Sequence, residues 1–169
     1  SASLKPVIEV FSVPVRKEDR PALDTVHALI YNDTPITAVG DLIASFERGN
    51  IYMRVINRGI LNGSRAGLTD ISTLQLRYNG NQYPYQSIDT DIMAAIQRSR
   101  YGRDLPQAVF VWDWFYQGVP GYGSARDWIN SGALTEFEQI VTVASGATLG
   151  SNNNKLEMTR EILIPVAMG

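Results

Sequence analysis

The 169-residue chain has no cysteine, one histidine and only three lysines, and each shortage removes a class of activity. Without cysteine there is neither a disulfide framework nor a thiolate metal site. With His27 alone, a transition-metal centre would have to be built mostly from carboxylates, and a Ser-His-Asp triad has no supporting Gly-x-Ser-x-Gly motif. Charge of one sign is missing too. Fifteen basic against 17 acidic residues leave a formal net charge of −2, so no bulk positive field draws the chain to nucleic acid, and no direct nucleic-acid contact is expected. No run approaches the ~20 apolar residues that span a bilayer. The opening Ser1 to Lys5 has no apolar stretch behind basic residues, so no signal peptide is expected. A chain of this length buries roughly 70% of its unfolded surface, which predicts one core and a single domain over residues 1–169.

What the chain does have is period-two alternation. Val7 to Val13 forms a β-rich run between Pro6 and Pro14, and flanking prolines mark an edge strand. Further strands are predicted over Leu23 to Tyr31, Ile36 to Phe46 with a bend at Gly40, and Ile51 to Ile56. Leu74 to Tyr78 and Gln82 to Tyr85 flank Asn79-Gly80-Asn81, the clearest hairpin signal. Three strong strands follow: Ala108 to Tyr116, Leu134 to Ala144 and Lys155 to Val166. Irregular loops are expected at 57–70, 117–133 and 145–154.

Helix is scarce. Ile88, Ile92, Ala95 and Ile96 recur at helical spacing, Asp89 or Thr90 can cap the start, and Arg98, Arg100 and Gly102 close the end, which predicts a helix over 90–101. A second, over Ser124 to Asn130, is the only other candidate. About eight strands with one helix in a long connection predict an all-β, antiparallel sandwich or barrel, because a doubly wound α/β fold needs a helix after nearly every strand.

Candidate catalytic groups have simpler structural explanations. His27 sits inside a strand pattern. The glycines of Gly118 to Gly123 match neither Gly-x-Gly-x-x-Gly nor a P-loop, and no lysine follows. Asp89 and Asp91 lack the Gly and Glu of an EF-hand loop and suit a helix N-terminus. Glu136 and Glu138 share a strand face, as paired glycosidase carboxylates do, but such pairs usually point to solvent. No catalytic residue, metal or cofactor is assigned, and the chain is read as a non-enzyme.

The aromatic strand carries more information. Trp112, Trp114 and Tyr116 share one face and Val111, Asp113 and Phe115 the other, so the strand should be covered on both sides by a sheet, a loop or another subunit. Tyr122 and Trp128 extend the aromatic density, and Ile162 and Ile164 belong to an apolar tail, Ile162 to Met168, more continuous than a half-solvated strand requires. These seven residues, Trp112, Trp114, Tyr116, Tyr122, Trp128, Ile162 and Ile164, are the candidate interface. An exposed Trp/Tyr platform would instead stack on sugar rings, the alternative of a carbohydrate-binding jelly roll. Twelve arginines against three lysines favour planar, multi-donor contacts at interfaces.

The segments Ala108 to Trp114, Thr135 to Val143 and Glu161 to Pro165 resemble the closing strands of a viral jelly-roll capsid protein. Length, missing cysteine, a lone helix in a long connection and an apolar last strand are similar to the single-jelly-roll major capsid proteins of tailless icosahedral phages with an internal membrane. The type most like this chain is the smaller of the two major capsid proteins of the sphaerolipovirus group. Sparse charge and the arginine bias fit a Thermus-type host better than a halophilic one. The resemblance implies a jelly-roll sandwich that assembles into capsomers, a homo-oligomer with a second, larger capsid protein as partner, and only indirect contact with the inner membrane. It also implies a place in the virion after synthesis in the host cytoplasm.

Overall fold

The structure, a computed structural model, describes residues 10–11, 24–67, 69–79, 82–114, 128–151 and 153–166. In chain order the strands are β1 (Val10–Phe11), β2 (Asp24–Pro35), β3 (Gly40–Ser45), β4 (Ile51–Leu61), β5 (Ser64–Arg65), β6 (Ile71–Tyr78) and β7 (Gln82–Asp89). After the helix α1 (Thr90–Tyr101) come β8 (Val109–Asp113), β9 (Ile129–Asn130), a turn of 3-10 helix (Ser131–Ala133), β10 (Phe137–Val143) and β11 (Lys155–Val166).

The strands longer than two residues pair in a nested way: β6 with β7, β4 with β8, β3 with β10 and β2 with β11, all antiparallel. One long hairpin rolled up on itself has this pairing. Rolling adds the neighbours β11 with β4 and β10 with β6, and the sheets become β2-β11-β4-β8 and β3-β10-β6-β7. That order is the jelly roll, whose eight strands make two Greek keys.

Alternation places the core between the sheets. In β11, Leu156, Met158 and Ile162 are fully buried while Lys155, Glu157, Thr159 and Glu161 face outward. A register shift opposite Glu161 and Ile162 leaves Met53 as an extra residue in β4, a bulge that turns Tyr52 inward beside Val55. Phe137 then gathers Phe46, Tyr52, Tyr78 and Trp114 around it, with ring centroids 4.6 to 6.2 Å away. Gly59 allows close approach. A Cβ there would lie 2.5 Å from Ile71 Cδ1, across the interior on β6.

Several boundaries differ from the sequence reading. The strand expected to end at Ile56 continues to Leu61, and β5 follows, so half of the segment expected to be irregular at 57–70 is strand. The run expected from Ile36 starts at Gly40, whose φ of +104° makes it the strand's entry and not a bend within it. The helix expected to reach Asn130 does not, since Ile129–Asn130 pairs with Tyr52 and Ile51 of β4. The rest of that segment, most of the run from Val7 to Val13, Phe115, and the glycines of 118–123 lie outside the described residues. α1 occupies 90–101 as expected and closes on Gly102, at φ +66°, whose N–H donates to the Arg98 carbonyl.

The buried face of α1 is the reverse of the one its isoleucines advertise. Thr90, Met93 and Gln97 are buried, and Thr90 Oγ1 donates to the Ile71 carbonyl at 2.9 Å, while Ile92 and Ile96 remain 54% and 40% exposed. The helix packs on β6, β7 and β8 and so lies over the flank where the two sheets' edges come together.

Candidate assembly surfaces

The aromatic strand lies in the interior. Trp112 and Trp114 are 4% and 7% exposed on the inner face of β8, and Val111 and Asp113 on its other face are buried as well. Trp112 Nε1 donates to Gln139 Oε1 at 2.9 Å, and Gln139 Nε2 donates to Asn57 Oδ1 at 2.7 Å, so one buried amide ties β8, β10 and β4 together. At these exposures neither indole offers a stacking face for a sugar ring. Ile162 is fully buried, Ile164 is half-buried against the core, and Trp128 is half-buried beside β9. Tyr116 and Tyr122 lie outside the described residues.

Charges on the outer face of the larger sheet form two rows across the strands. In one, His27 Nε2 lies 3.1 Å from Glu161 Oε1, Arg54 lies 3.6 Å from Glu161 and 3.5 Å from Asp113, and the Tyr101 hydroxyl donates to Asp113. The lone histidine is thus a link in a cross-strand chain. Burial, with the Asp113 carboxylate behind it, pushes the Tyr101 phenol up. In the other row Lys155 bridges Asp33 at 3.1 Å and Glu157 at 3.0 Å, and Arg58 holds Glu157 from β4.

Burial alone would raise the Glu157 carboxyl, yet hydrogen bonds from Lys155, Arg58 and Tyr31 outweigh it and hold the group below the usual carboxylate range. A depressed folded value means stability that is complete above the unfolded value of 4.5 and lost as pH falls through the folded one. Glu157→Gln is therefore expected to lower stability at pH 7 by about 1 kcal/mol and to flatten the acid limb of a denaturation-against-pH curve. An acid limb of unchanged slope would remove Glu157 from that linkage.

The carboxylate pair Glu136 and Glu138, at the start of β10, is also committed. Arg77, the register partner of Glu138 on β6, binds Glu138 and lies 3.3 Å from Glu136. Glu138 is 5% exposed, and the shared cation makes the two carboxylates a strand-to-strand clamp.

Apart from Tyr31 on β2, the exposed large apolar side chains among the described residues collect on opposite flanks, a signal the sequence reading missed. Ile92 and Ile96 stand on α1, beside β7 and β8; Val39 and Ile43, 45% and 51% exposed, stand at and just before β3, the far edge of the smaller sheet. β3 carries neither lysine nor proline, the usual guards of an open edge. Among the described residues no helix is long and apolar enough to cross a membrane.

No protein-family model matches the chain, and no curated protein does. Solved structures do. The chain is similar to the major capsid protein P2 from bacteriophage PM2, with a TM-score of 0.59 and 11% identity over 82% of this chain and 52% of that one. It is similar to the STIV MCP, with a TM-score of 0.62 and 13% identity over 88% of this chain and 44% of that one. A third match is the PBCV-1 virus capsid, with a TM-score of 0.57 and 8% identity over 84% and 49%. The chain thus spans about half the length of the structures it matches. At these identities the likeness speaks for architecture, and the chain is an antiparallel jelly roll of the kind found in these viral capsid proteins.

Proposed function

We propose that the chain is a structural subunit of a viral capsid. The observation that carries this reading is the nested strand order, joined to the likeness to three viral capsid structures, of each of which the match covers only about half. A jelly roll that spans only about half of each needs companions to cover the same area, and the exposed apolar flanks offer surfaces for them. The finer reading follows from the family resemblance. Residues 1–169 act as one single-jelly-roll subunit that self-assembles into capsomers of an icosahedral shell over an internal membrane. A second, larger capsid protein shares the shell, contact with the membrane is indirect, and the virus is of sphaerolipovirus type with a Thermus-type host. The protein is made in the host cytoplasm and resides in the virion. Half-buried Trp128 and Ile164 remain interface residues in this reading; Trp112, Trp114 and Ile162 serve it by holding the sandwich together. A shell subunit needs no catalytic group.

Light scattering across concentration, with negative-stain microscopy of the same samples, tests the reading. Mass should rise with concentration, and regular arrays or closed particles should form. A chain that stays monomeric at every soluble concentration overturns self-assembly, and saturable quenching of tryptophan fluorescence by a glycan would favour the carbohydrate-binding alternative.

A further inference from the structure

β3 closes the smaller sheet with one side of its backbone unpaired among the described residues. It bonds to β10 alone, in the register that runs from Ser45 opposite Glu138 to Gly40 opposite Val143. The Phe46 N–H donates to the Phe137 carbonyl at 2.9 Å, and bonded pairs alternate along an antiparallel ladder. Residues 40, 42 and 44 therefore bond to β10, while the N–H and C=O groups of Asp41, Ile43 and Ser45 point away from it. The far side of β10 agrees. There the Asn79 N–H donates to the Glu136 carbonyl, so the even residues of β10 serve β6 and the odd ones serve β3. The side chains of Asp41, Ile43 and Ser45 are exposed on the outer face of the sheet, Ile43 at 51%. A row of donors and acceptors at this spacing is matched by another strand, and not by a helix or a flat apolar surface.

The strand that fits is a copy of itself. A two-fold axis perpendicular to the sheet at Ile43 sets two β3 strands antiparallel, with Ile43 opposite Ile43, Asp41 opposite Ser45 and Leu42 opposite Ala44. The outward groups of residues 41, 43 and 45 then all fall in bonded pairs. On the outer face an apolar pair sits at the axis, and on each side of it a carboxylate meets a hydroxyl. Asp41 Oδ1 accepts from Thr142 Oγ1 at 2.7 Å, which leaves its second oxygen for the Ser45 hydroxyl of the other copy. The neighbouring registers that keep the faces matched fail: centring on Leu42 sets Ile43 against Asp41, and centring on Ala44 sets Asp41 against Glu47. We propose that the open edge of β3 pairs with β3 of a second copy of this chain, antiparallel about Ile43, so that two smaller sheets join into one. A strand of six residues is about 20 Å long and buries well under the ~800 Å² per partner of a standard interface. The contact is therefore weak in isolation and suits a subunit held by several small surfaces at once. It deepens the assembly reading above and rests on it.

Sedimentation velocity across concentration is the test, with far-UV circular dichroism confirming that each variant folds. Ile43→Lys should weaken dimer formation at least about tenfold, because it sets two ammonium groups face to face on the axis. Ser45→Lys, two residues along the same face, should tighten it about threefold, because each new ammonium meets the Asp41 carboxylate of the other copy, while Glu138 beside it is already held by Arg77. One charge of one sign thus has opposite effects at two neighbouring exposed positions, which a change in net charge alone does not produce. Since the chain has no native cysteine, Ile43→Cys should oxidise to a disulfide-linked dimer far faster than Ile92→Cys, a control of matching exposure on α1. Opposite signs together with selective cross-linking establish the contact. Wild-type self-association that Ile43→Lys leaves unchanged overturns the β3 pairing alone and leaves the capsid reading standing. Weaker association in Ser45→Lys overturns the register and the proposal with it, as does equal cross-linking at residues 43 and 92. Absence of any self-association in the wild type overturns both readings.

Discussion

Trp112→Ala is expected to lower stability by about 4 kcal/mol, a shift of roughly 8 to 16 °C in Tm for a chain of this size. Two costs combine. The indole fills space between the sheets at 4% exposure, so its removal leaves a cavity that packed neighbours refill only in part. It also takes away the donor to Gln139 Oε1, stranding a buried carbonyl oxygen at about 1–3 kcal/mol. Trp112→Phe separates the two, because the ring keeps much of the volume and supplies no N–H. Adding Gln139→Met to Trp112→Phe should cost less than the sum of the single changes, since the orphaned oxygen disappears with its bearer. Urea denaturation at constant m-value measures each. A loss below about 1 kcal/mol for Trp112→Ala would contradict the closed packing between β8 and β10.

The same amide explains why β4 was only half legible in the sequence. Asn57 and Gly59 read as the opening of a loop, since asparagine and glycine favour turns. Both in fact point inward from a continuous strand. Asn57 accepts from Gln139, a partner 82 residues away, and Gly59 clears room for Ile71. Long-range satisfaction of this kind leaves no local trace. The polar end of β2 was hidden similarly: Asn32 to Pro35 resembles a turn, yet it pairs in register with Lys155 to Met158. The apolar run of β11 placed that strand at its expected bounds, and the local turn signal placed the β6 and β7 hairpin, although β6 begins three residues earlier and β7 ends four residues later than expected.

The heaviest aromatic cluster reads as an interface from the sequence, yet its described members Trp112 and Trp114 fill the core, because a strand with two bulky faces can be covered within its own chain by a sheet and a helix. The surface signal sat in the helix. Its isoleucines were visible as a periodic stripe, but periodicity defines a face without saying which side of the helix the protein buries. Burial went to Thr90, Met93 and Gln97, on the side of the helix that packs on β6, β7 and β8.

Deleting residues 162–169 is expected to leave no folded protein. β11 lies between β2 and β4, so losing Ile162 to Val166 removes partners from both neighbours at once. Ile162 opposes Ala28 on one side and Tyr52 on the other, and its side chain is fully buried; Ile164 packs against the same core. The fully buried Ile162 contributes about 1.5–3 kcal/mol and half-buried Ile164 less, and the backbone groups of Val26 to Ala28 and Ile51 to Tyr52 would lose their pairing as well. Together these losses approach the ~5–15 kcal/mol that holds a whole domain together. The tail is therefore first a structural strand, and its deletion cannot report on assembly by itself. Leu163 can, because it faces outward beside Glu161 and is only half-buried. Leu163→Lys should leave cooperative unfolding in place, and any fall in self-association would then belong to the outer face of the larger sheet. A truncated chain that still unfolds cooperatively, with native near-UV circular dichroism, would show that β2 and β4 close the sheet without the end of β11 between them.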